Sequence, residues 1–139
     1  MVYGVGADIM DIGRIRVLAP DWDDPFFVKT FTESERRQGL ASADPVRYFA
    51  GRFAGKEAVF KSFRAQPDSF RFSEVGIVND GDGKPCVILL GDAKRIVEEK
   101  GIGNISISLS SDGGMVVAFA VSEYAACEPC EPCEPNNRR

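Results

Sequence analysis

One segment of this sequence, from Pro45 to about Phe63, has a hydrophobic period that fits a helix and not a strand. Proline stands at its entrance, and Phe49, Phe53, Phe60 and Phe63 recur at steps of four, seven and three residues, which correspond to one or two helical turns. We therefore predict a long central helix with one aromatic face. Since 139 residues is close to the commonest size of a single domain, the other elements are expected to pack around this helix.

The segments flanking the central helix alternate between strand and helix patterns. Near the amino terminus, Val5, Ala7 and Ile9 form the apolar face of a strand whose other face ends in Asp8. Two later pairs of strands are each joined by a short turn, which predicts antiparallel hairpins and an α+β fold rather than a doubly wound parallel sheet. The predicted elements are a strand at Val2–Met10, a short helix at Asp11–Leu18, a loop at Pro20–Pro25, a helical turn at Phe26–Phe31, a helix opened by a capping box at Thr32 and Glu35 and running towards Leu40, the central helix, strands at Phe70–Val78 and Pro85–Leu90, a helix at Asp92–Lys100, and strands at Ile105–Leu109 and Met115–Ser122.

The composition excludes several classes of function. The chain has no histidine, so catalytic Ser-His-Asp and Cys-His groups, HExxH zinc sites and imidazole acid–base chemistry are ruled out. No apolar run approaches the roughly 18 residues of a membrane span, and the net charge of −4 argues against general nucleic-acid binding. The segment Met1–Gly6 lacks the pattern of a secretory signal, so we expect a cytoplasmic protein.

The last residues differ in composition from the rest. Cys127, Cys130 and Cys133 belong to a Cys-Glu-Pro repeat, and Cys86 stands alone. This spacing imitates part of an iron–sulfur motif, but a fourth ligand is missing. We expect a folded domain over residues 1–124 and a disordered tail over residues 125–139.

The central helix is basic within an acidic chain. The segment Arg47–Arg64 holds five basic side chains and one acidic side chain, Glu57. This local excess of positive charge suggests an anionic ligand such as phosphate, although a solvated charged face would give the same count. Lys56 falls inside the aromatic stripe, where it needs a carboxylate or phosphate partner or an exit from the core. Glu57 and Lys61 have the spacing of a simple ion pair within one helix.

Two carboxylates remote in sequence could meet in one site. Asp8 lies at the end of the first strand and Glu57 on the flank of the central helix, and two such groups on rigid elements make half of a magnesium site. Substrate phosphates and water supply the other ligands that Mg²⁺ prefers. Alternatively, Asp8 is only a cap for the segment that follows it.

Four sequence strings together resemble a known family. They are Gly4–Ile9 (GVGADI), Phe49–Ala58 (FAGRFAGKEA) with Lys61, Gly83–Pro85 (GKP) and Ile107–Ser110 (ISLS). The string R-F-A-x-K-E-A-x-x-K following an early G-x-D is specific, whereas either piece alone would be weak. Over roughly Met1 to Glu123 the chain is similar to the small bacterial 4'-phosphopantetheinyl transferases, the holo-[acyl-carrier-protein] synthases.

The resemblance implies an activity and its residues. The activity would be Mg²⁺-dependent transfer of the phosphopantetheine arm of coenzyme A to a serine of an acyl carrier protein, with release of adenosine 3',5'-bisphosphate. The fold would be that of the family, a homotrimer with coenzyme A sites at its interfaces. The residues implied are Asp8 and Glu57 for magnesium and catalysis, Lys61 for phosphate contact and catalysis, Arg52, Lys56, Gly83, Lys84, Pro85, Ser110 and Ser111 for coenzyme A, and Arg14 for docking of the carrier protein.

One position departs from the family pattern. The family usually has histidine after the serine or threonine that ends the fourth strand, and Ser111 occupies that place here. Serine can donate a hydrogen bond but cannot hold a charge. Two alternatives therefore stay open: a non-catalytic protein that binds the carrier protein or coenzyme A, and a magnesium-dependent hydrolase of nucleotide diphosphates.

Overall fold

The computed structural model describes residues 1–126 and has the predicted α+β order. Its elements are β1 (Val2–Asp11), α1 (Gly13–Arg16), α2 (Pro25–Thr30), α3 (Glu33–Leu40), α4 (Pro45–Phe63), a 3₁₀ turn (Phe72–Glu74), β2 (Val75–Asn79), β3 (Pro85–Leu89), α5 (Gly91–Glu99), β4 (Ile102–Asp112) and β5 (Met115–Tyr124).

The strands form two antiparallel sheets. One has three strands in the order β1-β5-β4, and the other pairs β2 with β3. Within the first sheet, Asp8 pairs with Ala118 on the central strand, and Ser110 pairs with Val117. Both predicted hairpins, β2–β3 and β4–β5, are confirmed.

Local capping explains where the helices begin. Asp44 accepts a hydrogen bond from the Arg47 backbone N–H at 3.1 Å, and Pro45 opens α4. The predicted capping box is present: Thr32 Oγ1 accepts from the Glu35 N–H at 3.2 Å, and Glu35 Oε2 accepts from the Thr32 N–H at 2.8 Å. Both helices therefore begin where the sequence pattern places them.

Two predicted elements have other bounds in the structure, and the alternative role of Asp8 was wrong. The helix expected over Asp11–Leu18 is reduced to α1, because β1 continues through Asp11. Asp8 is not a cap; it is paired within β1, and Asp11 accepts the Gly13 N–H at 2.7 Å instead. The strand expected from Phe70 begins only at Val75, since the 3₁₀ turn precedes it.

The first strand lies unusually close to the central helix. A Cβ at Gly4 would overlap the Ser62 carbonyl oxygen, and a Cβ at Gly6 would overlap that of Ala58. Two residues of a strand rise about 6.6 Å and four residues of a helix about 6 Å, so the two backbones stay in step. Because the glycines have no side chain, β1 rests directly on α4, and Asp8 follows on the same face.

The apolar face of β1 points away from α4. Val5 and Ile9 are 56% and 62% exposed, and on the neighbouring strand Val117 and Phe119 are 43% and 47% exposed. The opposite face of this sheet packs on α4 and contributes Met10 to the core. The sheet therefore has one face in the core and one apolar face on the surface of the chain.

The expected Cys-Glu-Pro tail lies mostly outside the described residues, which end at Ala126. Cys127, Cys130 and Cys133 are among the residues beyond that point. Between residues 1 and 126, none of the helices combines the length and the apolar character needed to cross a bilayer.

We predict that Gly6→Ala lowers the free energy of unfolding by about 1–3 kcal/mol, because the added methyl forces β1 away from α4. Gly81→Ala is the matched control, since nothing lies within 4 Å of a Cβ at that position. Urea denaturation of both variants measures the difference. Equal stability of the two variants would contradict the close approach.

Candidate active site

Lys56 meets a carboxylate in the core. Its Nζ donates to Glu35 Oε2 at 2.7 Å, to the Phe72 carbonyl at 3.0 Å and to the Val75 carbonyl, and both members of the ion pair are fully buried. Burial lowers the pKa of the Lys56 ammonium, and the charge and hydrogen bond of Glu35 oppose that shift. All three N–H groups are occupied, so this lysine has no donor left for a ligand.

The partner carboxylate joins three elements. Glu35 Oε2 accepts the Thr32 N–H, and Glu35 Oε1 accepts the Ile77 N–H at 2.8 Å. The pair therefore ties α3 and α4 to the start of β2. The sequence pattern predicted that Lys56 needs a carboxylate or phosphate partner or an exit from the core, and the Glu35 carboxylate is that partner.

Asp8 and Lys61 contact each other at the edge of the first sheet. Lys61 Nζ donates to the Ala7 carbonyl at 2.9 Å and to Asp8 Oδ1 at 3.2 Å. The side chains of Lys61 and Asp8 are 49% and 21% exposed, so the pair is open to solvent. The spacing of Glu57 and Lys61 suggested an ion pair within α4. Among residues 1–126, however, Lys61 forms its ion pair with Asp8.

Glu57 lies within the electric field of this pair. Partial burial raises the pKa of the Glu57 carboxyl, the negative charge of Asp8 raises it further, and the positive charge of Lys61 opposes both. The structure thus brings Asp8, Glu57 and Lys61 together, although Asp8 is far from the other two in sequence.

The donor set suits a hard divalent cation. Carboxylate oxygens are the protein ligands that Mg²⁺ prefers, and Mg²⁺ commonly uses only one or two of them together with phosphate and water. In residues 1–126 no cluster of three or more acidic, cysteine or histidine side chains is placed to hold a metal. Asp8 and Glu57 supply two carboxylates, so a cation bound between them would need phosphate or water for its other ligands.

A second group of candidate residues surrounds Arg52. The guanidinium donates to the Ile77 carbonyl at 3.0 Å and to Asn79 Oδ1 at 2.7 Å, and it lies 4.0 Å from the centre of the Tyr48 ring. A cavity of about 310 Å³ opens beside Arg52 and is bordered by Ser110 and Ser111. A neighbouring cavity of the same volume shares Arg52 and is bordered by Gly83 and Pro85.

Two other candidate residues stand outside these cavities. Lys84 is in the β2–β3 turn, where its backbone N–H donates to Asp80 Oδ1 at 2.9 Å. Arg14 is exposed on α1, while its neighbour Ile15 is buried in the core. Apart from the buried Lys56, the remaining candidates form two groups. In one, Asp8 on β1 lies beside Glu57 and Lys61 on α4. In the other, Arg52 on α4 lies near Ser110 and Ser111 on β4 and near Gly83 and Pro85 at the β2–β3 hairpin.

The sequence interpretation missed Arg47 as an individual site residue. Its Nη1 donates to Ser111 Oγ at 2.8 Å, so a cation stands beside the position that departs from the family pattern. The helix period could have indicated it, because Arg47 shares one stripe of α4 with Tyr48, Gly51 and Arg52. In the structure these four residues and the N-cap residue Asp44 border the same cavity.

Known proteins of one family are similar to this chain over most of its length. A family model described as the 4'-phosphopantetheinyl transferase superfamily matches residues 4–120. The holo-[acyl-carrier-protein] synthase of Clostridium acetobutylicum is 37% identical over 123 residues, which cover 88% of this chain and 98% of that protein. The synthase of Desulforudis audaxviator is 35% identical over 122 residues, covering 88% and 93%.

Solved structures give the same result. The crystal structure of the Neisseria meningitidis holo-[acyl-carrier-protein] synthase matches with a TM-score of 0.80 and 34% identity over 88% of this chain and 99% of that one. The Helicobacter pylori enzyme, solved in complex with coenzyme A, matches with a TM-score of 0.74 and 26% identity over 86% and 99%.

The chain therefore belongs to the 4'-phosphopantetheinyl transferase superfamily. Within it, the chain is one of the holo-[acyl-carrier-protein] synthases, and the resemblance carried by the four sequence strings is confirmed.

We predict that Lys56→Met destabilises the protein by about 3–5 kcal/mol, because it leaves the Glu35 carboxylate buried without its partner charge. Lys94→Met is the control, since Lys94 is exposed on α5. Thermal and urea unfolding report the difference. A loss of coenzyme A binding at unchanged stability would instead assign Lys56 to the ligand.

Proposed function

We propose that the chain transfers 4'-phosphopantetheine from coenzyme A to a serine hydroxyl of an apo acyl carrier protein, with Mg²⁺ and with release of adenosine 3',5'-bisphosphate. The main support is the cluster of Asp8, Glu57 and Lys61. Its two carboxylates can bind a cation, and its ammonium can bind a phosphate. The coenzyme A in the Helicobacter pylori relative supports the choice of donor.

The proposed reaction is a phosphoryl displacement. The serine oxygen forms a bond to the phosphorus that bears the pantetheine arm, and the bond from that phosphorus to the bridging oxygen of the bisphosphate breaks. When bound, Mg²⁺ would neutralise charge that builds on the phosphoryl oxygens. Lys61, fixed by Ala7 and Asp8, would donate to the same oxygens. With no histidine in the chain, the Glu57 carboxylate is the proposed acceptor of the serine proton.

The donor nucleotide is proposed to bind beside Arg52, with Gly83, Lys84, Pro85, Ser110 and Ser111 around it. Arg47 adds a second cation at this cavity. Lys56 is left out of the proposed contacts because its ammonium is saturated in the core. Arg14, exposed on α1, is proposed to contact an acidic face of the carrier protein.

A homotrimer with interfacial sites would unite the two groups of residues. The first group includes the edge strand β1 and the second the opposite edge strand β4, so a neighbouring copy could bring its Asp8 group to this copy's Arg52 group. The apolar outer face of β1 and β5 supports such an assembly, because a contiguous apolar patch on a protein surface usually marks a contact with another molecule.

We predict that Asp8→Asn and Glu57→Gln each lower Mg²⁺-dependent transfer by about a hundredfold or more while the fold is kept. Asp92→Asn is the control, since Asp92 is an exposed carboxylate on α5. The assay measures the mass gained by an apo carrier protein after incubation with coenzyme A and Mg²⁺. Unchanged transfer in either variant would remove that carboxylate from the site.

Measurements of coenzyme A binding and of bisphosphate release, made beside this assay, separate the alternatives. Binding of coenzyme A without modification of the carrier protein would indicate a non-catalytic protein, and release of the bisphosphate without a carrier protein would indicate a hydrolase.

We predict that Phe119→Glu dissociates the assembly, because it places a charge in the apolar face of the sheet. Val28→Glu, at a half-exposed position on α2, is the control. Sedimentation equilibrium measures the mass of each variant. A trimer that survives Phe119→Glu, or a wild-type protein that is a monomer, would contradict the proposed interface.

A further inference from the structure

Arg52 is a nearly buried cation that no carboxylate neutralises. The residue is 7% exposed, and within residues 1–126 its guanidinium forms no ion pair. Burial of a charge is unfavourable unless an opposite charge or good hydrogen bonds compensate for the lost water. One helical turn later, Lys56 has the Glu35 carboxylate as its partner. Arg52 lacks such a counter-charge, and a bound anion would supply it.

Neutral groups hold the Arg52 guanidinium instead. The Ile77 carbonyl accepts from Nε at 3.0 Å, Asn79 Oδ1 accepts from Nη2 at 2.7 Å, and the Tyr48 ring lies 4.0 Å from the guanidinium carbon. Each of these groups turns a partial negative charge towards the cation, but none carries a net charge. They fix the orientation of the guanidinium and leave its full positive charge in place.

The side-chain amide of Gln38 fixes Asn79 in turn. It pairs with the Asn79 backbone as a neighbouring strand would: Oε1 accepts the N–H at 2.8 Å, and Nε2 donates to the carbonyl at 3.3 Å. The Tyr48 hydroxyl donates to the same Oε1 at 2.9 Å, and burial raises the pKa of this hydroxyl, so it keeps the proton that it donates. A closed ring of contacts therefore joins Arg52, Asn79, Gln38 and Tyr48.

This ring of contacts lies between the two cavities of the proposed nucleotide site. Arg52 borders both cavities, Tyr48 borders one of them, and Asn79 borders the other. An anion in either cavity would meet a guanidinium whose position is already set by contacts with α3 and β2.

We propose that Asn79, positioned by Gln38, makes this site selective for an anion, because its amide orients the Arg52 guanidinium without neutralising it. This inference rests on the proposed function. Aspartate has nearly the shape of asparagine and would accept the same hydrogen bond from Arg52, more strongly because it is charged. It would also cancel the positive charge that attracts the anion. Asparagine at position 79 is therefore required for binding and not for folding.

The test compares Asn79→Asp with the wild type by urea unfolding and by calorimetric titration with adenosine 3',5'-bisphosphate at several salt concentrations. We expect the stability to stay the same or rise. The dissociation constant should rise about tenfold at low salt and by a smaller factor at high salt, because salt screens the charge that the variant removes.

Transfer kinetics provide a second measurement on the same variant. In Asn79→Asp the KM for coenzyme A should rise with the dissociation constant, while kcat at saturating coenzyme A stays within about twofold. Asn104→Asp is the matched control, since it makes the same substitution at an exposed position near the start of β4. The control should keep the affinity of the wild type.

The variant Gln38→Leu tests the positioning step separately. Leucine removes the amide that holds Asn79 and leaves every charge unchanged. The dissociation constant of the bisphosphate should therefore rise about threefold, by the same factor at each salt concentration. Unchanged affinity in Gln38→Leu would contradict the positioning role of Gln38.

Three results for Asn79→Asp would overturn the inference. They are unchanged affinity, a loss of affinity that is the same at every salt concentration, and a loss of affinity that comes with a loss of stability. A wild-type chain that binds the bisphosphate but modifies no carrier protein would instead defeat the proposed function. Normal wild-type transfer with unchanged affinity in Asn79→Asp would defeat only the role given to Asn79.

Discussion

The direct packing of β1 on α4 is the constraint on which the candidate site depends. Gly4 and Gly6 allow the strand backbone to touch the helix backbone at Ser62 and Ala58, and the matched rises of the two elements keep them aligned. Asp8 continues the same strand face and is thereby placed against the flank of α4 that holds Glu57 and Lys61. A larger side chain at either glycine would separate the two halves of the site.

A buried ion pair provides the second constraint. The Lys56–Glu35 pair joins α3 to α4 and satisfies backbone groups at the start of β2. Arg52 also links α4 to β2, because its guanidinium donates to the Ile77 carbonyl and to Asn79 Oδ1. The same guanidinium lies over the Tyr48 ring, and both residues border a cavity. The basic character of α4 therefore serves two purposes: Lys56 and Arg52 hold the β2–β3 hairpin to the helix, and cations other than Lys56 remain available to an anion.

The sequence predicted those features that depend on local periodicity and capping, and it missed those that depend on tertiary contacts. The helix of Pro45–Phe63 and the capping box at Thr32 follow from short-range patterns, and both are present. The buried face of β1 could not be read from hydrophobicity, because Gly4, Gly6 and Asp8 precede Met10 on it while Val5 and Ile9 face outward. The helix period places Arg47 on the same stripe as Arg52, but it does not identify Ser111 as its partner or Glu35 as the partner of Lys56, because both contacts join residues distant in sequence.

The convergence of Asp8 and Glu57 is the central claim, and the pKa of the Glu57 carboxyl tests it most directly. Carbon-13 NMR of the metal-free protein can follow this carboxyl through a pH titration in the wild type and in Asp8→Asn. Because the Asp8 charge contributes to the raised pKa of Glu57, removing that charge should lower the pKa, while partial burial keeps some elevation. An identical pKa in the two proteins would show that the carboxylates do not share a site.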